Sequence, residues 1–185
     1  MRLSNKKIAM ISIVVIIIGI SAFFVGSLTK GTVYNQIDKA LHELEPDFSM
    51  ILHVHMDRHR ALVFFTTIRS ELGVATLRET SRGFKINAYL GKDQLDIENQ
   101  LSWYGKESQS ENVHLLYGIV NNPKISQVVL LSEENQAATI IKDTSFTMWY
   151  AVMDGGLNSP ITIRGFNEEG EKIYETGDPE FWNKP

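Results

Sequence analysis

The sequence predicts a mainly β protein (α+β overall), with one N-terminal transmembrane helix, a short juxtamembrane helix and an antiparallel β-sheet or β-sandwich-like exported domain. Three observations carry this reading. Residues Ile8 to Leu28 form an uncharged run of 21 residues. Between Val33 and Leu44 apolar side chains recur at helical spacing. After Pro46 the pattern changes to short alternating or wholly apolar runs, separated by polar turns.

At about 1.5 Å rise per residue, a helix of this length reaches roughly 30 Å, the thickness of a bilayer's hydrocarbon core. The β-branched centre, Ile13 to Ile18, favours strands in water. In lipid the backbone must close its own hydrogen bonds, so helix is expected. Arg2, Lys6 and Lys7 precede the run and Lys30 follows it. The positive-inside rule therefore places residues 1–7 in the cytoplasm and the C-terminal part outside it, so the chain is expected in the cell membrane as a single-pass protein that meets the lipid bilayer through Ile8–Leu28. A cleaved signal peptide is the rival reading. The run is long for that role and ends in no Ala-x-Ala site, Val25-Gly26-Ser27 being its poor substitute. The chain has no cysteine, which leaves nothing for a lipoprotein anchor. An uncleaved anchor is the expectation.

Residues 31–185 hold 14 basic and 22 acidic residues, a net charge of −8. Such a domain is repelled by nucleic acid and by anionic lipid, so no nucleic-acid partner is expected. Without cysteine there are no disulfides, and the chain has no Asn-x-Ser/Thr acceptor. Both features suit a bacterial extracytoplasmic protein.

The elements follow in order. Val33, Ile37, Leu41 and Leu44 form one helical stripe that Pro46 ends, and it is expected to lie on the domain. Met50 to Met56 alternates, with Leu52, Val54 and Met56 on one face and Ile51, His53 and His55 on the other. Asp57 to Arg60 is a polar break, and Ala61 to Thr67 reads as the returning strand. Gly73–Glu79 and Gly83–Leu90 form a hairpin about Ser81-Arg82-Gly83. Residues 92–110 are polar, with Leu95, Ile97, Leu101 and Trp103 scattered among them, and show no assignable period.

Further strands are expected at His114–Val120, Ile125–Leu131, Ala137–Lys142, Phe146–Met153 and Pro160–Phe166. A last hairpin turns at Asn167–Glu171 into Lys172–Tyr174. Trp149 and Tyr150 face opposite sides of their strand, so at least one should anchor the core. The expected organisation is a cytoplasmic segment 1–7, a transmembrane helix 8–28, a juxtamembrane helix 29–47, a first β-rich segment 48–110, a sandwich-like segment 111–176 and a tail 177–185. Phe181 and Trp182 in that tail are expected to pack back on their own domain.

Several of these stretches carry a resemblance: Leu62-Val63-Phe64-Phe65, then Leu116-Tyr117-Gly118-Ile119-Val120-Asn121-Asn122-Pro123-Lys124-Ile125, then Pro160 to Phe166 with Glu169 to Tyr174. Over residues 48–175 the chain resembles small uncharacterised membrane-anchored exported proteins of Bacillus-type bacteria. The shared stretches are strands and turns, so the resemblance implies a lineage and no activity.

The chemistry on offer is narrow. Three of the five histidines cluster at His53, His55 and His59. Two histidines on one strand face, with a third after the turn, are nitrogen donors of the kind zinc or copper takes, and Asp57 adds an oxygen. Arg58 and Arg60 oppose a cation there, and two strand histidines alone make no closed tetrahedral set. The same pair invites a pH-sensing reading, since histidine titrates near neutrality. Barrel hydrolases that open on His-x-His need about 250 residues.

The lack of cysteine excludes thiol chemistry. No H-E-x-x-H, G-x-S-x-G or phosphate-loop motif is present, nor a D-x-D-x-D-G calcium loop. Glu133-Glu134 and Glu168-Glu169 fall in predicted turns, where carboxylates are solvated, and Asp154-Gly155-Gly156 reads as a loop. No cofactor and no catalysis are expected. The expectation is an extracytoplasmic binding or accessory module with a protein partner at its exported domain. The alternative is a metal-binding or enzymatic protein using His53, His55 and His59.

Overall fold

The computed structural model describes residues 32–58, 60–131, 135–143, 146–157 and 161–177. The run 8–28, His59, Glu133-Glu134 and the tail with Phe181 and Trp182 lie outside the described residues. Among the described residues no helix is long and apolar enough to cross a membrane.

The protein is mainly β, with one short helix among the described residues, α1 (Val33–Leu44). Thr32 caps it, its Oγ1 accepting from the Asn35 N–H at 3.3 Å, and the Glu45 N–H closes the last turn on the Leu41 carbonyl at 2.9 Å. Pro46 then stops the helix. Four strands follow as a meander, in the order β1 (Phe48–Asp57), β2 (Arg60–Thr67), β3 (Glu71–Thr80) and β4 (Gly83–Gln94). Gly83, at a φ of 109°, lets the β3–β4 turn close after Ser81 and Arg82.

The remaining strands are β5 (Tyr104–Ser108), β6 (Val113–Ile119), β7 (Gln127–Leu131), β8 (Gln136–Ala137), β9 (Thr139–Lys142), β10 (Thr147–Met153), β11 (Thr162–Phe166) and β12 (Lys172–Thr176). They form a second sheet, β5-β6-β10-β9, and a third, β12-β11-β7-β8. β5, from the polar stretch 92–110, pairs with β6 and so belongs to the second sheet. Lettered A to G with β8 as C′, the two sheets run A-B-E-D and G-F-C-C′. This is the order of an immunoglobulin constant-type sandwich with one added edge strand.

Three hydrophobic layers stack four structural ones. α1 lays Ile37, Ala40 and Leu41 on Phe48, Ile51, Val63, Phe65 and Leu77 of the first sheet. The opposite face of that sheet (Leu62, Phe64, Leu72, Val74) packs on Leu115, Tyr117, Met148 and Tyr150 of the second. The far face of the second sheet, with Leu116, Trp149 and Ala151, packs on Val128, Leu130 and Ile163 of the third. Both inner sheets are thus covered on two sides, which is why Ala61–Phe65, Leu115–Ile119 and Met148–Ala151 are continuous apolar runs and do not alternate. Trp149 and Tyr150 both anchor cores, one on each side of β10.

The strand pairing corrects one face assignment. Ile51 pairs with Phe65 and His53 with Phe64, so Leu52 is an extra residue in β1. The bulge turns Ile51 and Val54 to the helix, and Leu52, His53 and His55 to the second sheet. A second departure lies at Ala138. Its N–H donates to the Val128 carbonyl at 2.9 Å in the third sheet, while Thr139 onward pairs with β10 in the second. The stretch 137–142 therefore crosses between sheets.

Gly118 marks the tightest crossing in the sandwich. The segment Leu101–Trp103 runs over β6, and a β-carbon on Gly118 would stand 1.9 Å from the Ser102 carbonyl oxygen. That approach lets Ser102 Oγ accept from the Ile119 N–H at 3.0 Å, and the Ser102 carbonyl accept from Trp149 Nε1–H at 3.0 Å.

Candidate functional site

His53 and His55 face the second sheet because the bulge at Leu52 rotates β1 there. Opposite them, Tyr150 of β10 points out of the same layer. Its hydroxyl stands 3.3 Å from His53 Nε2 and 3.1 Å from His55 Nδ1. One hydroxyl thus serves two imidazoles, donating to one ring nitrogen and accepting from the N–H of the other when both rings are neutral. His53 also stacks on Phe64, and the Tyr150 ring leans on both histidines and on Phe64.

The surroundings favour a neutral His53. Burial, and then the charge on His55, hold the His53 imidazole below its ordinary pKa. Burial likewise pushes the Tyr150 phenol up, so it stays protonated and able to donate. A cavity of about 80 Å³ opens beside His55, between Leu62 and Thr76 of the first sheet and Val113 and Val152 of the second.

The expected metal set is brought together only in part. His53 and His55 converge on Tyr150, while His59 lies outside the described residues. Asp57 is turned to Arg60, at 3.4 Å, and Arg60 also donates to the Glu111 carbonyl at 2.6 Å. Met56 is exposed on the opposite face of β1. Among the described residues no three histidine, aspartate or glutamate side chains come together as a metal group. Glu168 and Glu169 stand exposed in the β11–β12 turn, as their position in the sequence predicts.

Two polar clusters escape sequence reasoning. At the end of α1, Lys92 Nζ stands 2.8 Å from Glu71 Oε2 and 3.3 Å from Glu45 Oε2. Tyr89 donates to the same Glu45 oxygen at 3.1 Å, and Thr67 to Glu71 at 2.8 Å. The hydrogen bond from Lys92 holds the Glu71 carboxyl below its usual range, and that same bond raises Lys92. Burial, then the bond to Glu45, pushes Tyr89 up to about 12. In the second cluster Lys106 pairs with Asp93 at 2.9 Å, and the buried Tyr117 hydroxyl donates to the same carboxylate. Both clusters join residues from different strands at partly buried seams, the arrangement of structural pins. The one sequence signal for them is that Lys92 and Asp93 are adjacent opposite charges at the end of an apolar strand.

Comparison with protein families, with curated proteins and with solved structures finds no match for this chain.

Proposed function

We propose that this chain is a single-pass membrane protein of a Bacillus-type bacterium, with an extracytoplasmic β-rich domain that serves as a binding or accessory module. The carrying observation is the uncharged run Ile8–Leu28, flanked by Arg2, Lys6 and Lys7 and joined through three residues to a capped helix that packs on the first sheet. The domain beyond it supports binding over catalysis. Its ionisable clusters are paired across strands, and its second and third sheets follow an immunoglobulin-type order, an architecture built to present loops and edges. Cell fractionation with an alkaline carbonate wash tests this reading. The expected product is a full-length chain of 21.0 kDa in the washed membrane pellet. A shortened chain in the soluble fraction refutes the anchor.

A second reading, metal binding by the histidine face, is favoured by one observation: His53 and His55 meet at the Tyr150 hydroxyl. His59, outside the described residues, is the third donor this reading calls on. Metal analysis of the purified full-length protein decides the matter. Stoichiometric zinc or copper at neutral pH that is lost in His53→Asn supports this reading, and no bound metal sinks it.

A further inference from the structure

We propose that the end of the first sheet where the chain enters the domain is a second membrane contact, docking on anionic phospholipid headgroups and holding the domain upright over its anchor. The inference rests on the anchored reading above and goes beyond it by assigning a lipid-binding surface.

The placement comes from the chain itself. Four Cα steps separate Leu28 from Thr32, a reach of at most about 14 Å whatever path the chain takes. Thr32 caps α1, and one turn later Gln36 accepts from the Phe84 N–H at 3.2 Å, so the first turn of α1 is fixed beside the β3–β4 turn. The β1–β2 turn lies at the same end, since Asp57 pairs with Arg60, Arg60 with Arg78, and Arg78 with Lys85 across neighbouring strands.

The charge there is opposite to that of the whole domain. Around the β1–β2 and β3–β4 turns, Arg58, Arg60, Arg78, Arg82 and Lys85 meet Asp57, Glu79 and Glu111, a net charge of +2 for this patch in a region that totals −8, while Glu107 and Asp154 stand at the same end of the second sheet. Arg58, Arg78, Arg82 and Lys85 are exposed, and Arg60 is the member of the five held in an ion pair with Asp57 among the described residues. The positive pole of α1 sits at this end, with no acidic residue in its first turn. Tyr34, Val33 and Met56 are about half exposed beside these cations, the aromatic and apolar company that the interfacial zone of a bilayer takes.

Distance decides which charge the membrane feels. The carboxylates of Asp47, Glu71, Asp93, Asp96 and Glu98 gather at the other end of the first sheet, where Arg69, Lys92 and Lys106 pair with the first three and leave that end net acidic. A strand of ten residues spans roughly 33 Å, against a Debye length of about 8 Å at physiological salt. The acidic end is screened from the lipid surface, and the net charge of −8 does not prevent docking of the basic end.

Because the chain lacks cysteine, Ser81→Cys in the β3–β4 turn gives a unique thiol for a fluorophore. The full-length labelled chain is reconstituted into phosphatidylcholine vesicles with or without phosphatidylglycerol, each carrying headgroup nitroxide quencher. Stronger quenching with phosphatidylglycerol is expected, reversed by high salt and by the combined Arg58→Gln, Arg78→Gln, Arg82→Gln and Lys85→Gln variant. Each charge removed should lower the docked-to-undocked ratio about fivefold. A label at Glu168→Cys, in the turn at the far end of the sandwich, should stay unquenched throughout.

Quenching at residue 81 that ignores lipid charge, salt and the four substitutions overturns the docking while leaving the anchor intact. Equal quenching at residue 168 overturns the upright pose. A chain that fails to float with carbonate-washed vesicles overturns the anchor and the docking together.

Discussion

Adding one methyl group at Gly118 should be among the most damaging conservative changes in this protein. A β-carbon there would lie 1.9 Å from the Ser102 carbonyl oxygen, 2.6 Å from its carbonyl carbon and 3.0 Å from Trp103 Cα, all backbone atoms. An ordinary contact needs more than 3 Å, so the strap Leu101–Trp103 must lift by over an ångström or β6 must sink toward the first sheet. Lifting the strap stretches three bonds at once: Ser102 N–H to the Ile119 carbonyl, Ile119 N–H to Ser102 Oγ, and Trp149 Nε1–H to the Ser102 carbonyl. At about 1 kcal/mol per bond, with about 1–3 kcal/mol for the forced repacking, the expected loss is about 4–6 kcal/mol. Against a typical stability of about 5–15 kcal/mol that moves the denaturation midpoint far to the left. The control is Gly155→Ala, where a β-carbon meets nothing within 4 Å. Urea unfolding of the full-length protein in detergent, followed by tryptophan fluorescence, reads both. Gly118→Ala within about 1 kcal/mol of the parent would refute the strap-over-strand geometry, since surface-like glycine changes stay near 0.5 kcal/mol.

The other predictions concern the polar seams. Tyr150→Phe keeps the ring against Phe64 but leaves two imidazole nitrogens short of a partner; a loss of about 1–3 kcal/mol in the same unfolding assay is expected. His53 is lowered by burial and by His55, so the unfolded chain takes its proton first as pH falls. Its share of stability is therefore whole above pH 6.5 and drains away below that value, until the lowered native pKa is reached. In His53→Asn the slope of melting temperature against pH just below 6.5 should shrink, and an unchanged slope would count against the lowered His53. Glu71 is lowered by its bond from Lys92, so its contribution is present above pH 4.5 and disappears as pH falls through the native value. Lys92→Met should therefore weaken the protein more at neutral pH than in acid, as acid titrations of melting temperature will show.

Much of this fold is legible in the chain because short-range rules govern it. The stripe Ile37–Leu41, the stop at Pro46, the turn at Ser81-Arg82-Gly83 and most strand positions follow from local periodicity and turn chemistry. Even so, Val33 is half exposed, and Ala40 takes the place beside Leu41 that the stripe assigns to it. What escapes the sequence is set by partners distant along the chain. Alternation puts Ile51 with the histidines, but an added residue at Leu52, visible only against the paired strand β2, turns it away. The run 137–142 looks like one strand, yet two sheets claim its halves.

The site shows the same division. His53 and His55 are conspicuous as letters, whereas Tyr150, 97 and 95 residues on, becomes their shared partner only when the first and second sheets stack. Arg58 and Arg60 are likewise separated from Arg78, Arg82 and Lys85 until the meander sets their turns side by side. Net charge, an average over the chain, predicts repulsion from anionic lipid and is silent about such an end.

Membrane orientation is the claim on which the remainder depends, and the cysteine-free chain offers a direct test. Single thiols at Ser4→Cys and Asn167→Cys are to be probed in intact cells with a membrane-impermeant maleimide. The account predicts that residue 167 is labelled at once and residue 4 only after permeabilisation. Labelling of residue 4 in intact cells, or protection of residue 167, would contradict it.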